Sequence, residues 1–457
     1  MSQRPLIVIC AVGLSPEHLG ADTPRLSAVA ESGFHRALTP ALPAVTTTAQ
    51  ATMLTGTDPA VHGIVANGWY FRDLAEVWLW RQSEALMQAP PVWERIRERR
   101  PCTVLKHFWW YAMNSSADAF VTPRPAYHAD GAKSPDCYAW PSTLKTQLEQ
   151  AHGTFPLFNF WGPTANITST RWVSDSFCTA WRAQKPDLAL CYLPHLDYDL
   201  QRFGPSGPHL ARNLRELDAC CGTVLDLAGE HGCDVLVVSE YGIEAVNTGV
   251  PINRALREAG LLTVTRNATG ELLDPGTSAA FAVADHQLAH VYCRDERSRE
   301  RALEVLKRQG GIEAIYAGAE RAQLGLNHPR SGELVAVAAA GAWFQYEYWL
   351  DPKAAPDFAH QVEIHKKPGY DPRELLFDPH GGKFRAARAL LRKKLGLRYT
   401  MNPISLDPSL VRGSHGRAPS SPEQGPILIG SNPSWASHLG TTVHQRDIAG
   451  LIERICT

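Results

Sequence analysis

The sequence predicts an α/β protein, a three-layer α/β/α sandwich around a mostly parallel sheet, with a smaller α+β region that is inserted or forms a cap. Its apolar runs are continuous in PLIVICAVGL (5–14), DLALCYLPH (187–195) and DVLVVSEYG (234–242). Continuous apolar runs are typical of strands that are buried on both faces. Segments with helical periodicity separate these runs, and this alternation builds a parallel sheet covered by helices.

The early chain shows the alternation most clearly. A predicted strand over 5–12 is followed by TPRLSAVAESG (23–33), where Thr23 can cap a helix, Pro24 suits its first turn and Gly33 suits its end. Further units follow as a predicted helix over 92–100, a strand over 102–111, a strand over 187–195, a helix over 210–232 and a strand over 234–242.

A change of texture after about residue 255 predicts a second region. Residues 290–318 predict a strand, a charged helix and a strand, and apolar residues 332–344 extend this unit. Residues 345–405 are rich in Pro, Asp and His with weak periodicity, which favours a cap or long loops near the site. We therefore expect three parts: the first part of the core (1–262), a small α+β unit with the cap (263–405), and the closing part of the core (406–457).

Composition excludes several classes of protein. The chain has 457 residues, 44% of them hydrophobic and 20% charged, and a formal net charge of −1. Such a balance does not indicate a nucleic-acid partner or an acidic membrane surface. No apolar run reaches the roughly 18–20 residues that a membrane span needs. The oligomeric state stays open.

The N-terminus and the cysteines indicate a cytoplasmic protein. The first apolar stretch is followed by Gly13, Pro16 and Glu17, which favours a first strand over a signal peptide. The ten cysteines contain no CxxC pair, and a disulfide between the adjacent Cys220 and Cys221 would be strained. Free thiols in a reducing compartment are the expectation.

Residues 43–70, PAVTTTAQATMLTGTDPAVHGIVANGWY, carry the most specific motif. This segment resembles the nucleophile segment of the alkaline phosphatase superfamily, in the branch of type I phosphodiesterases/nucleotide pyrophosphatases and phosphonoacetate hydrolases. The resemblance implies an alkaline-phosphatase-like sandwich and two catalytic residues, Thr46 as nucleophile at a helix N-terminus and Asn67 as a donor to a phosphate oxygen. A helix N-terminus favours a bound anion. On the residues alone, Thr46 can also be read as a helix cap.

Three further motifs resemble the metal-binding segments of that superfamily. LPHLDYDLQRFGP (193–205) resembles P-D-x-x-G-H-x-Y-G-P and places Asp197 and Gln201 at ligand positions; VVSEYG (237–242) resembles VVSDHG and places Glu240 at another. GSHG (413–416) places His415 at the last ligand position. The resemblance implies one or two divalent metal ions, with Zn favoured and Mn or Fe as alternatives.

The ligand pattern departs from the superfamily at several positions. The first strand should end in Asp-Gly and ends in Val12-Gly13, Gln201 stands at a His position, and Tyr241 stands at another. Valine offers no donor and a neutral phenol is a poor ligand, so we expect that the standard two-zinc arrangement is not present as such. Two other histidines could rebuild a site: His195, which would share a strand face with Asp197, and His286.

The alternative for each of these histidines is a satisfied core or surface side chain, and the same holds for the other candidates Asp285, His290 and His365. Tryptophans and arginines near predicted strand ends form a candidate substrate surface. Its members are Trp69, Arg81, Trp109 and Arg171. Aromatic walls of this kind suit a substrate with a sugar, cyclitol, prenyl or nucleoside part.

These observations predict a metal-dependent hydrolase of a small phosphodiester, phosphomonoester or phosphonate. Either Thr46 or a metal-bound water would attack phosphorus. Two alternatives stay open at this point: a degenerate member of the superfamily that binds without catalysis, and a different metal-dependent chemistry on the same fold.

Overall fold

The computed structural model describes residues 4–129 and 132–457. Within those ranges the chain is built around a nine-stranded sheet. In spatial order its strands are Val443–His444, Phe34–Thr39, Ile427–Gly430, Asp234–Val238, Leu6–Ala11, Leu188–Leu193, Val104–His107, Ala119–Pro123 and Cys137–Trp140.

The centre of this sheet is parallel, as predicted. Leu6 of the first strand pairs with Leu188 on one side and with Asp234 on the other, both in parallel register. Ile427–Gly430 runs antiparallel to both of its neighbours, and Cys137–Trp140 is antiparallel at one edge. All six residues of Leu6–Ala11 are fully buried, which explains the continuous apolar run in the sequence.

Helices cover both faces of the sheet, and the predicted three-layer α/β/α fold is confirmed. One group packs around Leu210–His231 and another around Asp447–Cys456. The helices of the described residues are Pro24–Ser32, Thr46–Thr55, Pro59–His62, Val92–Arg97, Ser142–His152, Ile167–Gln184, His195–Phe203, Leu210–His231, Ile252–Glu258, Glu296–Arg308, Gly382–Lys394 and Asp447–Cys456.

A second, smaller sheet forms the core of the α+β region. Its four antiparallel strands lie in the order Ala280–Asp285, Leu288–Cys293, Leu334–Ala338 and Ile312–Ala317, and helix Glu296–Arg308 packs on it. The predicted strand, charged helix and strand over 290–318 are therefore confirmed. Short strand pairs complete the region and its contacts with the core: Gly68–Phe71 with Glu76–Leu79, Ala126–Tyr127 with Lys133–Ser134, Glu244–Ala245 with Gly413–Ser414, Thr248–Val250 with Ala342–Phe344, and Val264–Asn267 with Gly270–Leu273.

Two predicted strands end earlier than the sequence indicated. The strand over 102–111 stops at His107, because Phe108 and Tyr111 adopt φ values of 59° and 55°, outside the β region. The strand over 187–195 stops at Leu193, and a helix begins at His195. The chain therefore changes from strand to helix just before Asp197.

Residues 345–405 contain more regular structure than predicted. Helix Gly382–Lys394 lies within them, with exposed apolar side chains such as Phe384, and the short turns Pro352–Ala354 and Pro372–Leu375 flank the cavity region. All ten cysteines are free and buried, as expected for thiols that serve as small core residues. No helix within the described ranges is both long and apolar enough to cross a membrane.

Candidate active site

Thr46 lies on the floor of a cavity at the carboxyl edge of the central sheet. It is the first residue of helix Thr46–Thr55, whose ten residues are all buried. The extended backbone of Val45 (φ −132°, ψ 158°) turns the chain into this helix. The hydroxyl of Thr46 is therefore held at a helix N-terminus, where the positive end of the helix dipole favours an anion.

A chain of hydrogen bonds leads away from that hydroxyl. Thr46 Oγ1 lies 3.2 Å from Tyr241 Oη, and Tyr241 Oη donates to Asp197 Oδ1 over 3.2 Å. Because the phenol donates to the carboxylate, its oxygen is left to accept the proton of Thr46. The other carboxylate oxygen, Asp197 Oδ2, accepts from Gln201 Nε2 at 2.8 Å. Tyr370 Oη donates to Gln201 Oε1 at 2.8 Å, so the chain extends into the cap.

Burial sets the protonation of these groups. It raises the pKa of the Asp197 carboxyl to about 6, and hydrogen bonds from Gln201 and Tyr241 limit the rise. Burial also raises the pKa of the Tyr241 phenol well above its ordinary value, with the charge of Asp197 adding to the effect. Tyr241 is therefore a neutral phenol at neutral pH, whereas the Asp197 carboxyl titrates at about pH 6.

Two histidines stack with two tyrosines beside this chain. The ring of His415 lies 3.5 Å from the ring of Tyr241 and 3.8 Å from the ring of His286, which lies 3.6 Å from Tyr370. His415 Nδ1 is 2.7 Å from the carbonyl of Ala44, which can only accept, so Nδ1 carries the proton. His415 Nε2 lies 3.8 Å from Asp197 Oδ1. Burial lowers the pKa of both imidazoles well below the usual value, so both rings are neutral.

Asn67 lies behind Thr46 instead of beside the cavity. Its Oδ1 accepts from the backbone N–H of Thr47 at 3.1 Å, while its backbone N–H and Nδ2 donate to the two carboxylate oxygens of Asp285 at 2.8 and 3.1 Å. Asp285 also lies 2.7 Å from His286 Nδ1. The network connects the start of the Thr46 helix to the His286 turn. In this arrangement Asn67 positions the nucleophile segment.

Glu240 is directed into the protein. It is fully buried, and its Oε1 accepts from Gln50 Nε2 at 2.5 Å; Gln50 Oε1 in turn accepts from the backbone N–H of Trp110 at 2.6 Å. Burial raises the pKa of Glu240 well above its usual value. The Gln50 amide thus connects the Thr46 helix both to Glu240 and to the aromatic loop around Trp110.

The structure does not bring His195 to the site. Since a helix begins at His195, residues 195 and 197 point in different directions, and the expectation that they share a strand face was wrong. His195 Nε2 lies 3.0 Å from Glu216 Oε2, in a separate pocket.

The four predicted substrate residues also lie off the cavity. Trp69 and Trp109 are buried in the cores, the Arg81 guanidinium stacks 3.5 Å from the Trp78 ring, and Arg171 is an exposed partner of Glu216. Aromatic residues from the same or nearby segments form the wall instead: Trp80, Trp110, Tyr127, Phe158, Phe160, Trp161, Tyr198 and Tyr370. The clusters indicated the right region, but strand ends and left-handed residues such as Trp80 (φ 62°) decide which ring faces inward.

Tyr370 is the site residue that sequence reasoning missed. It belongs to no motif, and only the packing of the cap brings it 2.8 Å from Gln201.

The residues present do not fit the divalent-metal centre that the resemblance implies. Val12 offers no donor, both oxygens of Asp197 accept hydrogen bonds, and the oxygen of Gln201 is occupied by Tyr370. Tyr241 is a neutral phenol. Within 4–129 and 132–457, no group of three or more His, Cys, Asp or Glu side chains is arranged to hold an ion.

The fold and the segment around Thr46 are those of the alkaline phosphatase superfamily. The family model described as type I phosphodiesterase / nucleotide pyrophosphatase matches residues 6–371, and the chain belongs to that family. The chain is 24% identical over 251 residues to an uncharacterised pyrophosphatase/phosphodiesterase of Schizosaccharomyces pombe. That match covers 53% of this chain and 45% of the relative, so the chain spans about half the length of that curated relative.

Solved structures share the fold at low identity. Phosphonoacetate hydrolase from Sinorhizobium meliloti, in complex with phosphonoformate, superposes with a TM-score of 0.61 at 15% identity, covering 100% of this chain and 96% of that one. Murine ectonucleotide pyrophosphatase/phosphodiesterase 5, in complex with AMP, gives a TM-score of 0.59 at 14% identity, covering 100% of this chain and 95% of that one. These likenesses show the same fold, and the predicted family is confirmed by the family model.

Proposed function

We propose that this protein hydrolyses a small phosphodiester, phosphomonoester or phosphonate, with Thr46 as the nucleophile. One observation carries the proposal: the Thr46 hydroxyl lies on the cavity floor, at a helix N-terminus, and is connected through Tyr241 to the buried carboxylate of Asp197. A weak nucleophile needs a base that takes up its proton. Asp197 is that base, and the neutral phenol of Tyr241 relays the proton from Thr46 to it.

In the first step, Thr46 Oγ1 forms a bond to phosphorus as the bond from phosphorus to the leaving group breaks; the leaving atom is oxygen in an ester and carbon in phosphonoacetate. The hydroxyl proton passes to Tyr241 Oη while the phenolic proton passes to Asp197 Oδ1, and the leaving atom takes up a proton from solvent water, to which the attacking water of the second step returns one. Water then cleaves the phosphothreonine, and Thr46 recovers its proton along the same chain. The helix N-terminus stabilises the charge on the phosphoryl oxygens.

Attack by a metal-bound water is the other route that the resemblance implies. That route needs a set of metal ligands that these residues do not form. The alternative of a binding protein without catalysis is supported by Val12 and Tyr241, which replace the expected ligands.

The experiment is an assay of the purified protein on a bis-aryl phosphate, an aryl phosphate and phosphonoacetate, with bound metals quantified in the same preparation. Thr46→Ala should abolish turnover and Thr46→Ser should retain part of it, since serine keeps the hydroxyl. Thr57→Ala is the matched control, because Thr57 bonds to Thr55 at the other end of the helix. Full activity of Thr46→Ala would transfer the attack to water, and no turnover in the unmodified protein would favour the binding alternative.

A further inference from the structure

The cavity above Thr46 has two chemically different parts. It encloses about 1170 Å³ of space, a volume that includes its opening to solvent. The polar floor is formed by Thr46, Asp197, Tyr241, His286 and His415. The rest is predominantly aromatic and aliphatic, with Leu157, Val362 and Ile364 adding to the rings named above.

Several polar atoms of the wall are already bonded within the protein, whereas the buried Tyr198 hydroxyl has no hydrogen-bond partner. Trp161 Nε1 donates to Glu374 Oε2 at 2.7 Å, and Trp110 Nε1 donates to the carbonyl of Arg81 at 3.2 Å. The amide of Gln82 donates to the carbonyl of Pro123 and accepts from Thr122. His365 adds one imidazole edge, which is neutral because burial lowers its pKa. The wall thus offers ring faces and few free donors or acceptors.

The lining is also poor in positive charge. Among the described lining residues the single Lys or Arg is Lys133, and its Nζ lies 2.9 Å from Glu363 Oε2. The floor carries the acidic Asp197. A second phosphate on the substrate would therefore meet no counter-charge, and its desolvation would go uncompensated.

We propose that the substrate carries a single phosphodiester or phosphonate monoester group with one negative charge, attached to a hydrocarbon chain or ring that fills the aromatic wall. This deepens the proposed function and rests on it. A sugar or nucleobase would lose its hydrogen bonds to water without replacing them on this wall, whereas a hydrocarbon loses none. Each methylene buried on the wall contributes about 0.8 kcal/mol of binding.

The test is a series of 4-nitrophenyl phosphodiesters whose second ester group is methyl, butyl or octyl, compared with the 4-nitrophenyl ester of thymidine 5′-phosphate. We expect kcat/KM to rise up to about 4-fold per added methylene until the wall is filled. The thymidine ester should be a poorer substrate than the octyl ester. A rate that does not depend on chain length, or a preference for the thymidine ester, would overturn the proposal.

Two exposed phenylalanines provide a matched pair of variants. Phe158 is 51% exposed and lines the cavity, whereas Phe384 is 72% exposed on helix Gly382–Lys394 and does not line it. Phe158→Asp should reduce the gain between the methyl and octyl esters, while Phe384→Asp should leave it unchanged. Equal effects of both variants would count against the wall as the hydrocarbon site.

A binding measurement separates this inference from the proposed function. Calorimetry on the Thr46→Ala variant with octylphosphonate and with AMP needs no turnover. If octylphosphonate binds more tightly than AMP and the unmodified protein hydrolyses none of the esters, the proposed function is refuted and the ligand class is supported. Turnover without any preference for the octyl group, or tighter binding of AMP, would refute the ligand class alone.

Discussion

The phenol of Tyr241 should be the main determinant of the reactivity of Thr46, and Tyr241→Phe tests this directly. The substitution removes one oxygen, and with it both the 3.2 Å contact to Thr46 Oγ1 and the 3.2 Å bond to Asp197 Oδ1. The phenyl ring can keep its stacking on His415, 3.5 Å away, so the floor of the cavity should keep its shape.

Tyr241→Phe should lower kcat by about 10²–10⁴-fold, which is the usual contribution of general acid–base catalysis. Unfolding should become easier by about 1–3 kcal/mol, because the buried Asp197 carboxylate loses a donor. The loss of that donor should also raise the pKa of Asp197 further, since the bond from Tyr241 holds it down.

The assay is the pH dependence of kcat/KM. In the unmodified protein, activity should fall as the pH drops through about 6, because Asp197 must be ionised to take up the proton. Tyr292→Phe is the matched control, since this buried tyrosine of the second sheet donates to the backbone carbonyl of Arg330. A Tyr241→Phe enzyme with the unmodified rate and pH profile would refute the role of the phenol.

Three further variants test the rest of the site. Gln201→His should add a third metal donor beside Asp197 and His415 and so raise the amount of zinc bound per chain, which elemental analysis measures. An unchanged zinc content would contradict the interpretation that Gln201 prevents a metal centre from forming. Asp197→Asn should abolish turnover and stabilise the fold above pH 6 by up to about 3 kcal/mol. A carboxyl whose pKa rises from 3.8 to about 6 on folding lowers the free energy of unfolding progressively as the pH rises from about 3.8 to about 6. Unfolding of both proteins in urea at pH 4 and pH 8 measures this. Arg373→Met should lower the free energy of unfolding by about 3–5 kcal/mol, because the buried guanidinium lies 2.7 Å from the Asp371 carboxylate in the cap. The control is Arg388→Met at an exposed position, which should change the free energy of unfolding by less than about 0.5 kcal/mol. Equal effects of the two variants would contradict the role of the buried ion pair.

Local patterns predicted much of the site because its motifs each follow a strand end. Thr46, Asp197 and His415 are far apart in the chain, yet all three line the cavity floor. The carboxyl end of the parallel strand Leu188–Leu193 brings Asp197 to this edge, whereas His415 reaches it through the short strand pair outside the main sheet. The same reasoning could not place His195, because Pro194 and a helix start rotate it away from Asp197.

No sequence motif pairs Gln201 with Tyr370 or Glu240 with Gln50. Tyr370 occupies the oxygen of Gln201, and Gln50 turns Glu240 inward, so the two substituted ligand positions serve hydrogen bonds within the protein. Such partners come from the cap and from a helix interior, and local propensity carries no information about them.

Residue types and short-range periodicity are enough to predict the sheet, the helix that begins at Thr46 and the absence of a metal donor at Val12. The hydrogen-bonded chain of Thr46, Tyr241 and Asp197 and the aromatic faces around it become visible only in the folded protein. Thr46 and Tyr241 are 195 positions apart in the chain, and only the packing of the sheet and the helices fixes their contact at 3.2 Å.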